Sequence, residues 1–159
     1  MKHTISVLVE NKFGVLARIA GLFSGRGFNI TSLSVGETMN SDVSRMTIVV
    51  DDKGSPQIMG QVEKQLNKLI NVIRVQEFTR EQSVARELIL VKVKTTATTR
   101  SELLEIAQIF RARVIDVSQS SLVLEVTGAD DKIKAILGLL AHYGVKELVR
   151  TGKAAIARG

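Results

Sequence analysis

The stretch Glu10 to Leu16, read as ENKFGVL, has residue types and spacing suited to a helix start that receives an anion. A glycine placed just ahead of a helix lets backbone approach a ligand closely. The first amides of that helix lack intrahelical partners and lie at the positive end of its dipole, so they can receive a carboxylate. Asn11 offers an acceptor for an ammonium group and donors for a carboxylate. Asn29, at the start of the next extended segment, supplies a second polar contact, and Val15, Leu16 and Ile30 would face a short aliphatic side chain. An ordinary turn built on Asn11 and Gly14 accounts for the same residues.

Devices for covalent or acid–base chemistry are missing from the pattern. The two histidines, His3 and His142, have no carboxylate or nucleophile at a motif spacing. Gly25-Arg26-Gly27 does not continue to a third glycine, because Ile30 stands there. Gly152-Lys153 lacks the earlier glycine of a phosphate loop, where Glu147 stands. Asp51-Asp52 and Asp130-Asp131 read as turn and cap residues in preference to metal ligands. The reading is therefore of a chain with no catalytic residues, no metal site and no cofactor of its own.

The elements that must position Asn11 and Gly14 follow from periodicity. Ile5, Val7 and Val9 alternate as a strand, after which Val15, Leu16, Ile19, Leu22 and Phe23 recur at helical spacing until Gly25 and Gly27. Phe28 to Val35 predicts a strand with an irregularity, Gly36 to Ser44 a polar turn, and Arg45 to Val50 a third strand. Ser55-Pro56 predicts a helix start, with Pro56 at the first helical position. Ile58, Met59, Val62, Leu66, Leu69 and Ile70 form the stripe of that helix, and Asn71 to Thr79 returns to extended character. The order β-α-β-β-α-β is that of a ferredoxin-like module.

The polar run Thr79 to Arg86 reads as a linker, and the same order then repeats. A strand over Glu87–Lys94 precedes a capping box on Thr99 and Glu102, with Leu103, Ile106, Ala107 and Phe110 behind it. Two strands, Val114–Val117 and Leu122–Val126, flank a serine turn. Asp130 caps a last helix, and Val145–Val149 closes the repeat. The fold class is α+β, two ferredoxin-like βαββαβ domains, with boundaries at 1–79 and 80–159.

Composition narrows the function classes. The chain has 159 residues, no cysteine, 45% hydrophobic residues and 24% charged residues, which points to a globular protein without disulfides. No apolar run approaches the roughly 20 residues of a membrane span, and the expected location is the cytoplasm. The net charge of +6 divides evenly, with ten Lys/Arg against seven Asp/Glu in residues 1–80 and twelve against nine in 81–159. No basic stripe concentrates it, and the third strand, RMTIVV, carries none of the aromatics on which RNA-binding βαββαβ modules stack bases. Neither nucleic acid nor a membrane is an expected partner.

Longer blocks carry a resemblance. The first half resembles an ACT domain, a βαββαβ module that binds small amino acids at dimer interfaces. ISVLVENKFGVLARIAGLFSGRGFNITSLSVG, SRMTIVV and QVEKQLNKLINVIRV, followed by ELILVKV, IFRARVIDVS and ELVRTGKAAIARG, resemble the small regulatory subunit of acetohydroxyacid (acetolactate) synthase over almost the whole chain. That resemblance implies a non-catalytic partner of a large subunit carrying thiamine diphosphate, magnesium and FAD in branched-chain amino-acid synthesis. It implies activation of that subunit and feedback inhibition by valine, or by leucine or isoleucine. It also implies a homodimer through the ACT domains. The effector site would take Asn11, Gly14, Val15 and Leu16 from one chain and Asn29 and Ile30 from the other. Ala17 and Thr31 fall where related sequences often carry more polar residues, so the resemblance does not fix the preferred effector. The alternative is a free-standing amino-acid-responsive regulator built on the same module.

Overall fold

Alternation and helical spacing resolve into thirteen elements in a computed structural model that describes residues 1–55 and 57–159. The first unit is built from β1 (Lys2–Glu10), α1 (Val15–Gly25), β2 (Asn29–Glu37), β3 (Val43–Asp51), α2 (Ile58–Asn67) and β4 (Val72–Phe78). Its antiparallel sheet has the order β2-β3-β1-β4. The row Ile5, Val7, Val9 on β1 and the row Met46, Ile48, Val50 on β3 turn one way, and Val15, Ile19 and Phe23 of α1 close over them with Met59, Val62 and Leu66 of α2. Each fully buried side chain of this size contributes about 1.5–3 kcal/mol through water exclusion, which is what holds both helices on one face.

The second unit repeats the plan with β5 (Ser83–Lys94), α3 (Arg100–Ile109), β6 (Arg113–Val117), β7 (Ser121–Gly128), α4 (Asp130–Leu140) and β8 (Val145–Arg150), in the sheet order β6-β7-β5-β8. Ile89, Val91 and Val93 pack with Leu122, Leu124 and Val126 beneath Leu103, Ala107, Ile133, Ile136 and Leu140. The class is α+β, with two βαββαβ arrangements.

Several local expectations change. β2 and β3 run on to Glu37 and from Val43, which leaves a shorter turn than Gly36 to Ser44. The Pro56 expected at the first position of the second helix lies outside the described residues. Ser55 contributes its backbone carbonyl, which accepts from Ile58 N at 3.1 Å. Ile70, counted in the α2 stripe, lies past the helix end and is 91% exposed. The linker expected at Thr79 to Arg86 is brief, because β5 already begins at Ser83. The capping box sits a turn earlier than Thr99–Glu102. Thr99 N donates to Thr96 Oγ1 at 3.2 Å and Thr96 N donates to Thr99 Oγ1 at 2.9 Å, while Glu102 accepts instead from the Tyr143 hydroxyl at 2.8 Å. At the last helix, Ala129 is the cap residue and Asp130 is the first helical residue.

The chain's last strand, β9 (Ala154–Ala157), was not expected from periodicity. It pairs with β5, and Lys153–Gly159 belongs to the same compact unit as Met1–Ala85, while Arg86–Gly152 forms the other. The division therefore falls a few residues beyond the 79/80 boundary and is not a single cut. On the sheet face opposite the helices, Lys153 N donates to Ser32 Oγ at 2.8 Å and Ala155 N to Thr47 Oγ1 at 3.3 Å. Arg158 N donates to Gln82 O at 2.8 Å, and Ala155 is buried. The small side chains of AAIA allow this close approach to a row of serine and threonine hydroxyls, which satisfy backbone donors that a covering strand would otherwise bury unpaired.

Candidate functional site

The joint between β1 and α1 is fixed by its neighbours. Asn11 N donates to Asp42 O at 2.8 Å, and Val15 N donates to Lys12 O at 3.3 Å. Below it, Lys12 Nζ lies 2.9 Å from Glu10 Oε2, Asn71 Nδ2 donates to Glu10 at 3.0 Å, and Arg18 Nη1 donates to Asn71 Oδ1 at 3.0 Å. Lys12 first, and Asn71 next, hold the Glu10 carboxyl below the usual carboxylate range. Gly14 takes the left-handed conformation, φ +81, at the cap position of α1. A Cβ placed there would meet nothing within 4 Å, so the backbone is open to solvent on that side.

Two donors face that opening. Arg18 N closes the first helical turn onto Gly14 O at 3.1 Å, but among the described residues nothing accepts from the N–H of Leu16 or Ala17. These groups are the anion-receiving end of the helix. Asn11 is placed differently from the expectation that it serves both poles of a ligand. Its Nδ2 donates to Glu37 Oε1 at 3.1 Å and to Ser41 O at 2.8 Å, so both amide hydrogens are engaged within the chain. What Asn11 leaves open is its oxygen, an acceptor, with the Glu37 carboxylate beside it. Glu37 is a residue that the sequence did not single out, because it fell in the polar turn expected over Gly36 to Ser44 and the strand in fact runs on to it. Amide donors thus stand on the helix side and acceptors on the Asn11–Glu37 side.

Val15 is not available to a ligand, since it is 5% exposed and part of the core. Leu16 is 45% exposed beside the helix start. Phe13 and Met39 project fully into solvent at the same end of the sheet, and Val35 is exposed on β2. Asn29 and Ile30 are elsewhere. In the β2–β3 register Asn29 faces Asp51 and Glu37 faces Ser44, whereas on β1 it is Lys2 that faces Asp51 and Glu10 that faces Val43. Asn29 and Ile30 therefore lie at the opposite end of the sheet from Asn11, separated by the length of α1, about 16 Å for its rise. A single protomer brings Asn11, Gly14 and Leu16 together and leaves Asn29 and Ile30 apart. Ile30 packs partly against the core, and a bulge between it and Ser32 shifts the register at Thr31, whose hydroxyl donates to Val49 O at 3.2 Å.

The end of the sheet that carries Asn29 also holds a cluster of close charges around a histidine. His3 Nε2 is 2.8 Å from Asp52 Oδ2, and Nδ1 is 2.6 Å from Glu77 Oε1. The N-terminal ammonium lies 2.6 Å from Asp52 Oδ1. With a carboxylate on each ring nitrogen, His3 has no nitrogen left to take a proton from a substrate, so it acts as a fastener. Burial opposes its charge, but the bonds to Asp52 and Glu77 together outweigh burial and raise its pKa above the ordinary 6.5. Asp52 is held well below the usual range by the terminal ammonium, then by His3 and by the Gly54 N–H. Because His3 binds its proton more tightly when folded, its stabilisation is complete below its ordinary value and is lost as pH rises through the raised one. His3→Gln should therefore flatten the fall in urea midpoint between about pH 6 and pH 8. A wild-type midpoint that follows the variant across that interval would rule His3 out as the cause.

Two concave surfaces of the first unit lie away from α1's start. One cavity of about 300 Å³ sits under β9 and is lined by Ser6, Leu8, Arg45, Arg74, Phe78 and Ile156, among others. A more open depression of about 530 Å³ runs along α2 by Arg26, Gln61 and Lys64. No helix of the described residues is long and apolar enough to cross a membrane.

Known proteins place these features in context. The family described as AHAS small subunit-like ACT domain matches residues 5–74, and the one described as small subunit of acetolactate synthase matches residues 86–159. A probable acetolactate synthase small subunit of Archaeoglobus fulgidus is 58% identical over 159 residues, covering 100% of this chain and 98% of the relative. The acetolactate synthase small subunit of Mycolicibacterium smegmatis is 53% identical over 157 residues, covering 99% and 91%. The crystal structure of the acetolactate synthase small subunit from Thermotoga maritima superposes with a TM-score of 0.89 at 39% identity, over 100% of this chain and 98% of that one.

Proposed function

Because the chain belongs to the acetolactate synthase small-subunit family, we propose that it is the regulatory subunit of such an enzyme. In this reading it binds a catalytic large subunit, raises its activity and makes it responsive to valine or another branched-chain amino acid. Thiamine diphosphate, magnesium and FAD belong to the large subunit, and this chain contributes no reacting group. The observation that carries the sensing role is the left-handed Gly14 at the start of α1, with the Leu16 and Ala17 amides open in front and the Asn11 oxygen beside Glu37.

Edge strand β2 supports a two-chain site. It is nine residues long and, among the described residues, has a neighbour, β3, on one side only. A long unpaired edge invites pairing with another strand. Antiparallel pairing with β2 of a second copy sets the Asn29 end of one sheet against the Glu37 end of the other. Asn29 and Ile30 of one protomer then approach Asn11, Gly14 and Leu16 of its partner, and the exposed Leu16 and Val35 gain cover. Ligand bridging two chains couples binding to dimer geometry, so inhibition follows if the effector prefers the less active arrangement. A coupling of about 1–3 kcal/mol gives changes of about 5- to 150-fold in affinity.

Reconstitution with the cognate large subunit tests this. The expected result is a rise in acetolactate formation on adding the chain, followed by inhibition as valine, leucine or isoleucine is titrated. A chain that neither binds the large subunit nor changes its rate would remove the regulatory reading. Sedimentation across a dilution series should show effector affinity falling as dimer dissociates.

A further inference from the structure

A cavity separate from the helix start lies where residues 153–159 cross the first sheet. On the face away from the helices, Leu8 of β1 faces Arg45 of β3 and Arg74 of β4. The two arginines thus flank one leucine on the same side, with their Cα atoms about 10 Å apart across two strand spacings. Guanidinium groups on stems of that length can meet over the leucine. Arg45 is half-buried, and its Nη1 donates to Ser6 Oγ at 2.8 Å. Among the described residues neither arginine lies within ion-pair distance of a carboxylate. Glu10, the next acid along the β1 row, is taken by Lys12 and Asn71.

Two permanent cations brought together beside a 300 Å³ cavity without a counter-charge is an arrangement that an anion would relieve. The cavity has an apolar side as well. Leu8, Phe78 and Ile156 of β9 all line it. We propose that this cavity binds a small oxyanion with an apolar body, its carboxylate or phosphate held by Arg45 and Arg74 and its body held between Phe78 and Ile156. Since Ile156 belongs to the terminal strand, ligand and strand stabilise each other, and occupancy fastens the end of the chain to the sheet. This site shares no residue with the α1 start and stands whether or not that start senses valine.

The test uses the full chain, with inorganic phosphate and isovalerate as probes in separate calorimetric titrations. Neither probe has an ammonium group, so neither reproduces an amino acid. At least one probe is expected to bind, with affinity at least tenfold weaker in Arg74→Met and unchanged in Gly14→Asp. Arg74 is exposed, so its replacement leaves the core intact, and Arg45→Met serves as the second variant. The bound probe should also slow tryptic cleavage after Lys153, and this protection should disappear in Arg74→Met. Phosphate binding alone would identify a phosphorylated ligand, and isovalerate binding alone a carboxylic acid. Binding of neither probe, or equal binding and protection in both arginine variants, would overturn the proposal.

Discussion

Gly14→Asp is expected to abolish valine inhibition of the reconstituted enzyme while leaving activation by the small subunit in place. The glycine is left-handed, and an L-residue there costs about 1–2 kcal/mol. The added Cβ meets nothing within 4 Å, so no packing is disturbed. The new carboxylate also interacts favourably with the α1 dipole by about 0.3–1 kcal/mol, which offsets part of the strain. The protein should therefore fold, with its own carboxylate standing where the effector's belongs. Repulsion and occupation together should weaken valine by at least tenfold, about 1.4 kcal/mol. Gly14→Asn is the control, having the same size without the charge and a residue type that tolerates the left-handed region. It should respond more nearly as wild type. Normal valine inhibition of Gly14→Asp would place the effector elsewhere.

The second large effect is on stability. Phe23→Ala should remove about 3–5 kcal/mol, a large share of the 5–15 kcal/mol that holds a typical domain. Phe23 is fully buried in the last turn of α1, and its ring meets Phe28 edge-on with centroids 6.5 Å apart at 74°. Its carbonyl accepts from Arg26 N at 3.2 Å and from Phe28 N at 3.0 Å, which turns the chain out of the helix and into β2. Losing the ring leaves a cavity where α1, the turn and the sheet meet. At a urea slope of about 1–3 kcal/mol per molar, the midpoint of the first unit should fall by more than about 1 M. Ile70→Ala, at a 91% exposed position, should change the unit's stability by less than about 0.5 kcal/mol. Equal midpoints for the two variants would mean that the core is not organised as described.

That pair of variants also marks how far the sequence could be read. Phe23 and Ile70 are both apolar and both fall on a helical spacing, yet α2 ends at Asn67 and only Phe23 has a surface to bury against. Element order and both cores were legible, because period-two and period-3.6 patterns are set by which face meets water. Their ends were less so. Reciprocal bonds between Thr96 and Thr99 compete with the Thr99–Glu102 box on equal chemical terms, and only the position of Tyr143, far along the chain, draws Glu102 away. At the joint, the glycine and its open amides could be anticipated from local chemistry. That Asn11 spends its donors on Glu37 and Ser41 could not, since those partners arrive through strand pairing. β9 escaped notice because AAIA has too few residues for a period, and its place is set by hydroxyls more than a hundred positions away.

That last strand has a bearing on biosynthesis. The ribosome makes Met1–Ala85 first, then the whole of Arg86–Gly152, and only afterwards the residues that cover the first sheet. At about 5–20 residues per second, the hydroxyl-lined face of β1 and β3 stays bare for several seconds in every nascent chain. A chain cut short anywhere in the second unit keeps it bare permanently. Covering of the first sheet is thus the last packing step that these residues can take, and it waits on synthesis of the whole second unit.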